Sequence, residues 1–116
     1  MIATTSLGSF IVNLGHLSKI PCGGSRVFQI GRTAIAAFHT RDGNVFVTES
    51  TCPHQRDLLA DGLVGAQRVI CPHGVVFDLS NGQPAGNACR PLRTYPAMIN
   101  EHGEILVGIE AVFAAR

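Results

Sequence analysis

Residues 51–78 read TCPHQRDLLADGLVGAQRVICPHGVVFD, and the interpretation of the whole chain depends on this stretch. It contains the tripeptide Cys-Pro-His twice, from Cys52 to His54 and from Cys71 to His73, with 16 residues between the two copies. A thiolate and an imidazole two residues apart, presented twice, supply four metal ligands of mixed sulfur and nitrogen character. Such a set suits a zinc ion, or a 2Fe–2S cluster in which two cysteines hold one iron and two histidines hold the other.

The spacing inside each tripeptide favours the cluster over zinc. Zinc sites usually separate paired ligands by two or more residues, whereas here a single proline, Pro53 or Pro72, intervenes. In extended backbone, residues two positions apart point to the same side of the chain, so each tripeptide presents its two ligands together. Zinc, and a domain that binds no metal, stay as alternatives. The predicted ligands are Cys52, His54, Cys71 and His73.

These residues resemble the Rieske 2Fe–2S signature, which is C-x-H in one hairpin loop and C-P-x-H-G in a second. The matching segments are CPH at 52–54, LADGLV at 59–64 and VICPHGVVFD at 69–78, with SNG shortly after. The likeness continues through NACRPLRTYP at 87–96 and covers residues 10–110, nearly the whole chain. A 2Fe–2S cluster of the Rieske type is therefore the cofactor that the resemblance implies, with the four ligands named above.

Several positions depart from the family pattern. The second loop has one residue fewer between its ligands, Arg56 stands where the family usually has Gly, and Leu58 where it usually has Pro. In high-potential Rieske proteins a Ser and a Tyr donate hydrogen bonds near the cluster, and a disulfide joins the two loops. Val75, Phe77 and Asp57 stand at the corresponding places. The resemblance thus implies a low-potential, ferredoxin-like centre without a loop disulfide, in the Rieske range of about −150 to +300 mV.

The resemblance also implies an all-β Rieske fold: an antiparallel β-sandwich or barrel with a small cluster-binding subdomain of two hairpin loops, at about residues 50–60 and 70–78. The residue pattern agrees, because short apolar runs recur about every ten residues between Gly and Asn turns. We expect one domain over residues 1–116. The expected strands are residues 9–14, 27–30, 34–38, 45–48, 75–79, 92–99 and 104–109.

Three functions are compatible with these motifs, and the first of them is the one that we expect. Residues 60–64 and 87–96 look most like the small subunit of NAD(P)H-dependent assimilatory nitrite reductase, whose partner is a large flavin- and sirohaem-bearing subunit. The second interpretation is a free Rieske ferredoxin that carries electrons from a flavoprotein reductase to a ring-hydroxylating oxygenase. The third is a structural subunit that keeps the Rieske fold without a cluster. In the first two, the chain is an electron-transfer component of an oxidoreductase rather than a catalyst on its own.

The bulk composition restricts the classes of partner. Charged residues are 15% of the 116 and the formal net charge is +1, whereas nucleic-acid binding needs a clustered basic surface. No stretch approaches the ~18 apolar residues of a membrane span, and the N-terminus lacks the basic region of a signal peptide. We therefore expect a cytoplasmic protein whose partner is a redox protein, with no nucleic acid and no membrane.

Some reactive residues fall outside the predicted ligand set. Cys22 and Cys89 are predicted to be reduced thiols, as is usual in a cytoplasmic protein. The three aspartates in or beside the two loops are predicted to be solvated carboxylates, because no pairing in the sequence supports a catalytic role. They are Asp57, Asp61 and Asp78.

Overall fold

Antiparallel β-strands make up most of the computed structural model, which describes residues 9–53 and 57–110. Three short 3-10 turns, Leu17–Lys19, Leu59–Asp61 and Ala85–Asn87, are the helical segments in this part of the chain, and none has the length or apolar composition of a membrane span. The strands are β1 (Ser9–His16), β2 (Ser25–Ile30), β3 (Thr33–His39), β4 (Val45–Glu49), β5 (Leu63–Val64), β6 (Arg68–Ile70), β7 (Val76–Asp78), β8 (Thr94–Tyr95), β9 (Ala97–Ile99) and β10 (Glu104–Glu110).

The strands form three sheets within the described residues. The first has the order β1-β10-β9, the second β2-β3-β4-β8 and the third β5-β6-β7, and every pair is antiparallel. Strands β5 and β6 lie between the two predicted cluster-binding loops in sequence, and the second loop joins β6 to β7 within the third sheet. The prediction of an all-β antiparallel fold is confirmed.

Strand β3 separates two apolar cores. Residues 35–38 are fully buried, and alternate residues face opposite sides of a strand. Ile35 and Ala37 lie in one core, here called the sandwich core, whose other buried members are Leu14, Ile20, Val47, Ile105, Val107 and Ile109. Ala36 and Phe38 lie in the other, the loop core, whose other buried members are Cys52, Leu59, Val69, Cys71, Phe77, Leu79 and Leu92. One strand therefore supports both halves of the protein.

Two hairpins share a three-residue loop that ends in glycine. Residues 40–44 join β3 to β4, and residues 100–104 join β9 to β10. In each, the N–H of the first residue donates to the carbonyl of the fifth (2.9 and 3.0 Å), and the glycine N–H donates to the carbonyl of the first (3.0 Å in both). Gly43 and Gly103 have φ of 89° and 76°, a left-handed conformation that glycine adopts without steric cost.

The segment predicted as one strand over residues 92–99 is two strands separated by Pro96. Strand β8 pairs with β4 in the second sheet, whereas β9 pairs with β10 in the first. Proline has no N–H to donate to a ladder, so it ends one pairing where the chain passes to the next sheet. The Pro96 carbonyl still accepts a hydrogen bond from Gly108 N–H (2.8 Å). Strand β5 is only two residues long, and its turn-rich sequence does not indicate a strand.

Candidate metal centre

Two of the predicted ligands, Cys52 and Cys71, lie in the same apolar core. Their exposed fractions are 0% and 2%, and both belong to the loop core with Phe77. Cys52 follows β4 at the start of the first loop, and Cys71 comes directly after β6 at the start of the second. The fold therefore brings together two thiols that are 19 positions apart in sequence.

The first loop is closed by its own backbone. Thr51 and Leu58 form an isolated antiparallel bridge, and Cys52 N–H donates to the Asp57 carbonyl (2.8 Å). Cys52 and Asp57 therefore stand at the two ends of the loop. His54, the predicted ligand of this loop, lies outside the described residues, so its assignment stays a prediction.

The second loop is a third example of the three-residue glycine loop. Cys71 N–H donates to the Val75 carbonyl (2.9 Å), and Gly74 N–H donates to the Cys71 carbonyl (2.8 Å). Gly74 has φ of 88°. The glycines of the two ordinary hairpins have φ values within about 15° of this one, a scatter that is usual for one backbone conformation. The Cys-Pro-His-Gly sequence, one residue shorter than the family signature, therefore closes as a standard hairpin loop.

His73 lies at the surface of the second loop and contacts the first. Its side chain is 46% exposed, and its Nε2 forms an ion pair or hydrogen bond with Oδ2 of Asp57, which is 40% exposed. Sequence reasoning expected Asp57 to be solvated, and the structure instead shows it bridging the two loops. No signal in the sequence identifies this contact, because the two residues are 16 positions apart on different hairpins.

Residues 89–93 hold a further thiol against the loop core. Cys89 is partly buried there, and burial raises the pKa of the Cys89 thiol, with the nearby Cys71 raising it further. Pro91, in the same segment, is exposed. The segment is held by Glu49, whose carboxylate accepts two hydrogen bonds from Arg90 (2.8 Å each) and one from Arg93 N–H (2.7 Å).

The donor set fits a Rieske-type cluster. Two cysteines buried together suit one iron, and an imidazole at the adjacent surface suits the other, because in this type of centre thiolates and imidazoles bind different irons. Nε2 of His73 faces Asp57, so Nδ1 would be the ring nitrogen that binds a metal. Within residues 9–53 and 57–110, no three His, Cys, Asp or Glu side chains surround a single ion position.

An exposed apolar row lies beside the second loop on the third sheet. Leu63 pairs with Ile70, and Ile70 pairs with Val76, across β5, β6 and β7. Leu63 is 72% exposed and Ile70 38% exposed, and both line a shallow groove with Val76. Ile70 directly precedes Cys71, so this row continues up to the predicted ligands.

The fold and the site define a class of protein: a small antiparallel β protein with two cysteine-bearing hairpin loops packed against one core. The model of the Rieske [2Fe-2S] domain family matches residues 10–96, and the chain belongs to this family. It is a Rieske electron-transfer protein, and its cofactor is a Rieske-type 2Fe–2S cluster.

Individual relatives of two kinds match the chain. Ferredoxin CarAc of Metapseudomonas resinovorans is 32% identical over 87 residues, which are 73% of this chain and 79% of that protein. A chain in the solved complex of reduced oxygenase and oxidised ferredoxin of carbazole 1,9a-dioxygenase is 28% identical, with a TM-score of 0.72 over 83% of this chain and 99% of that one. A Mycobacterium tuberculosis protein assigned as an NADH-dependent nitrite reductase small subunit has a TM-score of 0.80 at 20% identity, over 89% and 97% of the two chains.

We expect Gly62→Ala to disturb the packing between the two loops. A Cβ at Gly62 would lie 2.2 Å from the Ile70 carbonyl oxygen and 3.2 Å from the Cys71 Cα. Gly62 has φ of −87°, which any residue adopts, so crowding is the cause of the effect. The free energy of unfolding should fall by about 1–3 kcal/mol in urea titrations.

Gly65→Ala is the matched control for this variant, because it lies at the other end of β5. The nearest atom to its added Cβ is the Arg68 carbonyl oxygen at 3.8 Å, an ordinary contact. Its free energy of unfolding should stay within about 0.5 kcal/mol of the parent protein. Equal losses in the two variants would contradict the close approach of Gly62 to the second loop.

Proposed function

We propose that Cys52 and Cys71 hold one iron of the cluster, and that His54 and His73 hold the other. The burial of both thiols in the loop core supports the first pair. The exposed position of His73 at the turn of the second loop supports its place in the second pair. The shortened second loop still closes with two backbone hydrogen bonds, so the missing residue does not argue against this assignment. A bound 2Fe–2S cluster supplies a centre that accepts and releases one electron.

We propose further that the protein is a Rieske ferredoxin, which carries electrons from a flavoprotein reductase to a ring-hydroxylating oxygenase. The observation that carries this proposal is the 32% identity to ferredoxin CarAc over most of both chains. The 28% identity to a chain from an oxygenase–ferredoxin complex supports the same assignment. The cytoplasm, which supplies the reduced cofactors of flavoprotein reductases, is the compartment that we propose for it.

The small subunit of NAD(P)H nitrite reductase is the second candidate function. Residues 60–64 and 87–96 look more like that group. The TM-score of 0.80 to the mycobacterial protein adds agreement in fold, but at 20% identity it adds no functional argument. We place the ferredoxin first because its support comes from sequence identity as well as from fold.

Purification of the full chain with its redox partner distinguishes the two functions. We expect a protein that separates from any large reductase subunit and is reduced by a small flavoprotein reductase in the presence of NAD(P)H. Stable co-elution with a large flavin- and sirohaem-bearing subunit would instead establish the nitrite reductase function. The electron paramagnetic resonance spectrum of the reduced protein should show mixed His and Cys ligation, and a colourless, iron-free protein would refute both functions.

The ligand assignment predicts different outcomes for two cysteine substitutions. Cys71→Ser should lose the visible absorbance of the cluster and keep the far-ultraviolet circular dichroism of the β fold, because serine is a poor ligand for iron in such clusters. Cys22→Ser is the control, since this thiol is exposed and its Sγ lies 3.6 Å from the Thr40 carbonyl rather than in the loop core. Cys22→Ser should keep full absorbance, and retained colour in Cys71→Ser would show that the ligand set is wrong.

The exposed apolar row of Leu63, Ile70 and Val76 supports docking of the oxygenase beside the second loop. A contiguous apolar surface next to the redox centre is the kind of surface that a partner protein covers. Covering a leucine side chain contributes about 1.5–3 kcal/mol, so Leu63→Lys should weaken binding to the oxygenase about tenfold or more in Kd. Titration calorimetry of the cluster-loaded protein with the oxygenase measures this change.

Met98→Lys is the matched control for the docking surface. Met98 is 60% exposed and lies on β9 in the first sheet, whereas Leu63 lies on β5 in the third. The substitution introduces the same charge, so a general electrostatic effect on binding should be similar in the two variants. If Met98→Lys weakens binding as much as Leu63→Lys does, the docking surface is not the row beside the second loop.

A further inference from the structure

We infer that Asp57 is a positioning residue for His73, and that its carboxylate tunes the reduction potential of the centre. The contact between Asp57 Oδ2 and His73 Nε2 joins the loop that carries Cys52 to the loop that carries Cys71. The inference rests on the proposed ligand role of His73. It adds a residue outside the ligand set whose side chain acts on the cluster through a ligand.

The backbone and the side chain of Asp57 act on different loops. Its carbonyl accepts a hydrogen bond from Cys52 N–H (2.8 Å), which closes the first loop. Its carboxylate reaches across to His73 at the turn of the second loop. Because the Cys52 hydrogen bond fixes the backbone at position 57, the carboxylate is presented to His73 from an anchored residue and not from a mobile one.

The contact determines which nitrogen of His73 would bind a metal. A carboxylate accepts a hydrogen bond, so Nε2 carries the proton and Nδ1 keeps its lone pair for a metal. Ligating histidines commonly donate their other N–H to a carboxylate or carbonyl, which fixes the ring orientation and makes the ligand more basic. Asp57 supplies that acceptor from within the same chain.

The charge of Asp57 acts on the redox equilibrium in a definite direction. Reduction adds one negative charge to the centre, and a carboxylate that contacts a ligand disfavours that charge. Asp57 therefore lowers the reduction potential, as does the lack of a hydroxyl at Val75 and Phe77. The carboxylate is 40% exposed, so solvent weakens the effect without abolishing it.

Two substitutions at position 57 separate the charge of the carboxylate from its hydrogen bond. Asp57→Asn keeps an oxygen that accepts from Nε2–H and removes the charge, whereas Asp57→Ala removes both. In redox titrations of the cluster-loaded protein, we expect both variants to be reduced more easily. At the midpoint potential of the parent, the reduced-to-oxidised ratio should rise about three- to tenfold, and tenfold corresponds to 59 mV for one electron.

Cluster retention gives a second measurement that does not depend on activity. Removal of a partner that orients a metal ligand typically costs about 10–100-fold in metal affinity. Asp57→Ala should therefore lose visible absorbance to an iron chelator at least about tenfold faster than the parent. Asp57→Asn should lose it more slowly than Asp57→Ala, because the acceptor oxygen is retained.

Asp61→Asn is the control for a change of charge near the loops. Asp61 is exposed at the end of the 3-10 turn that follows the first loop. If both Asp57 variants have the potential and chelation rate of Asp61→Asn, the contact with His73 does not operate in the loaded protein and the inference is overturned. A parent protein that lacks a Rieske spectrum would overturn the ligand assignment itself, so the two failures are distinguishable.

Discussion

The burial of two cysteine side chains in one apolar core is the constraint on which the metal centre depends. Cys52 and Cys71 come from separate hairpins, and both are shielded from water by the residues of the loop core. As thiols they pack in this core as small apolar groups. As thiolates, the same side chains would carry buried charge, which is costly without a metal to neutralise it. The loop core therefore fixes the positions of the two sulfurs, and a bound cation would neutralise their charge in the thiolate form.

The second loop shows how a family signature is shortened without loss of its closure. The loop at residues 71–75 has the hydrogen bonds and the left-handed glycine of the loops at residues 40–44 and 100–104. At each of these three places the backbone makes a tight turn between antiparallel strands. The proposed metal-binding residues of the second loop thus lie on a backbone conformation that this chain also adopts in two ordinary hairpins.

Much of the fold follows from local patterns in the sequence. The short apolar runs between Gly and Asn turns predict most strands within one or two residues, and the doubled Cys-Pro-His predicts where the site lies. Strand β5 and the division at Pro96 are different, because they depend on which neighbouring strand is available to pair. The contact of Asp57 with His73 is also beyond sequence reasoning, since it joins side chains from two hairpins. Patterns of neighbouring residues predict elements, whereas contacts between elements require the assembled fold.

Strand β3 packs against both cores, so we expect the two cores to unfold together. Ile35 and Ala37 face the sandwich core while Ala36 and Phe38 face the loop core, so neither core can open while the strand between them keeps its packing on both sides. A cluster bound at the loops would therefore stabilise the sheets as well, because a species that binds only the native state stabilises all of it. Loading with iron and sulfide should therefore raise the free energy of unfolding of the entire chain. The supply of iron and sulfide would then influence how much of the carrier is folded.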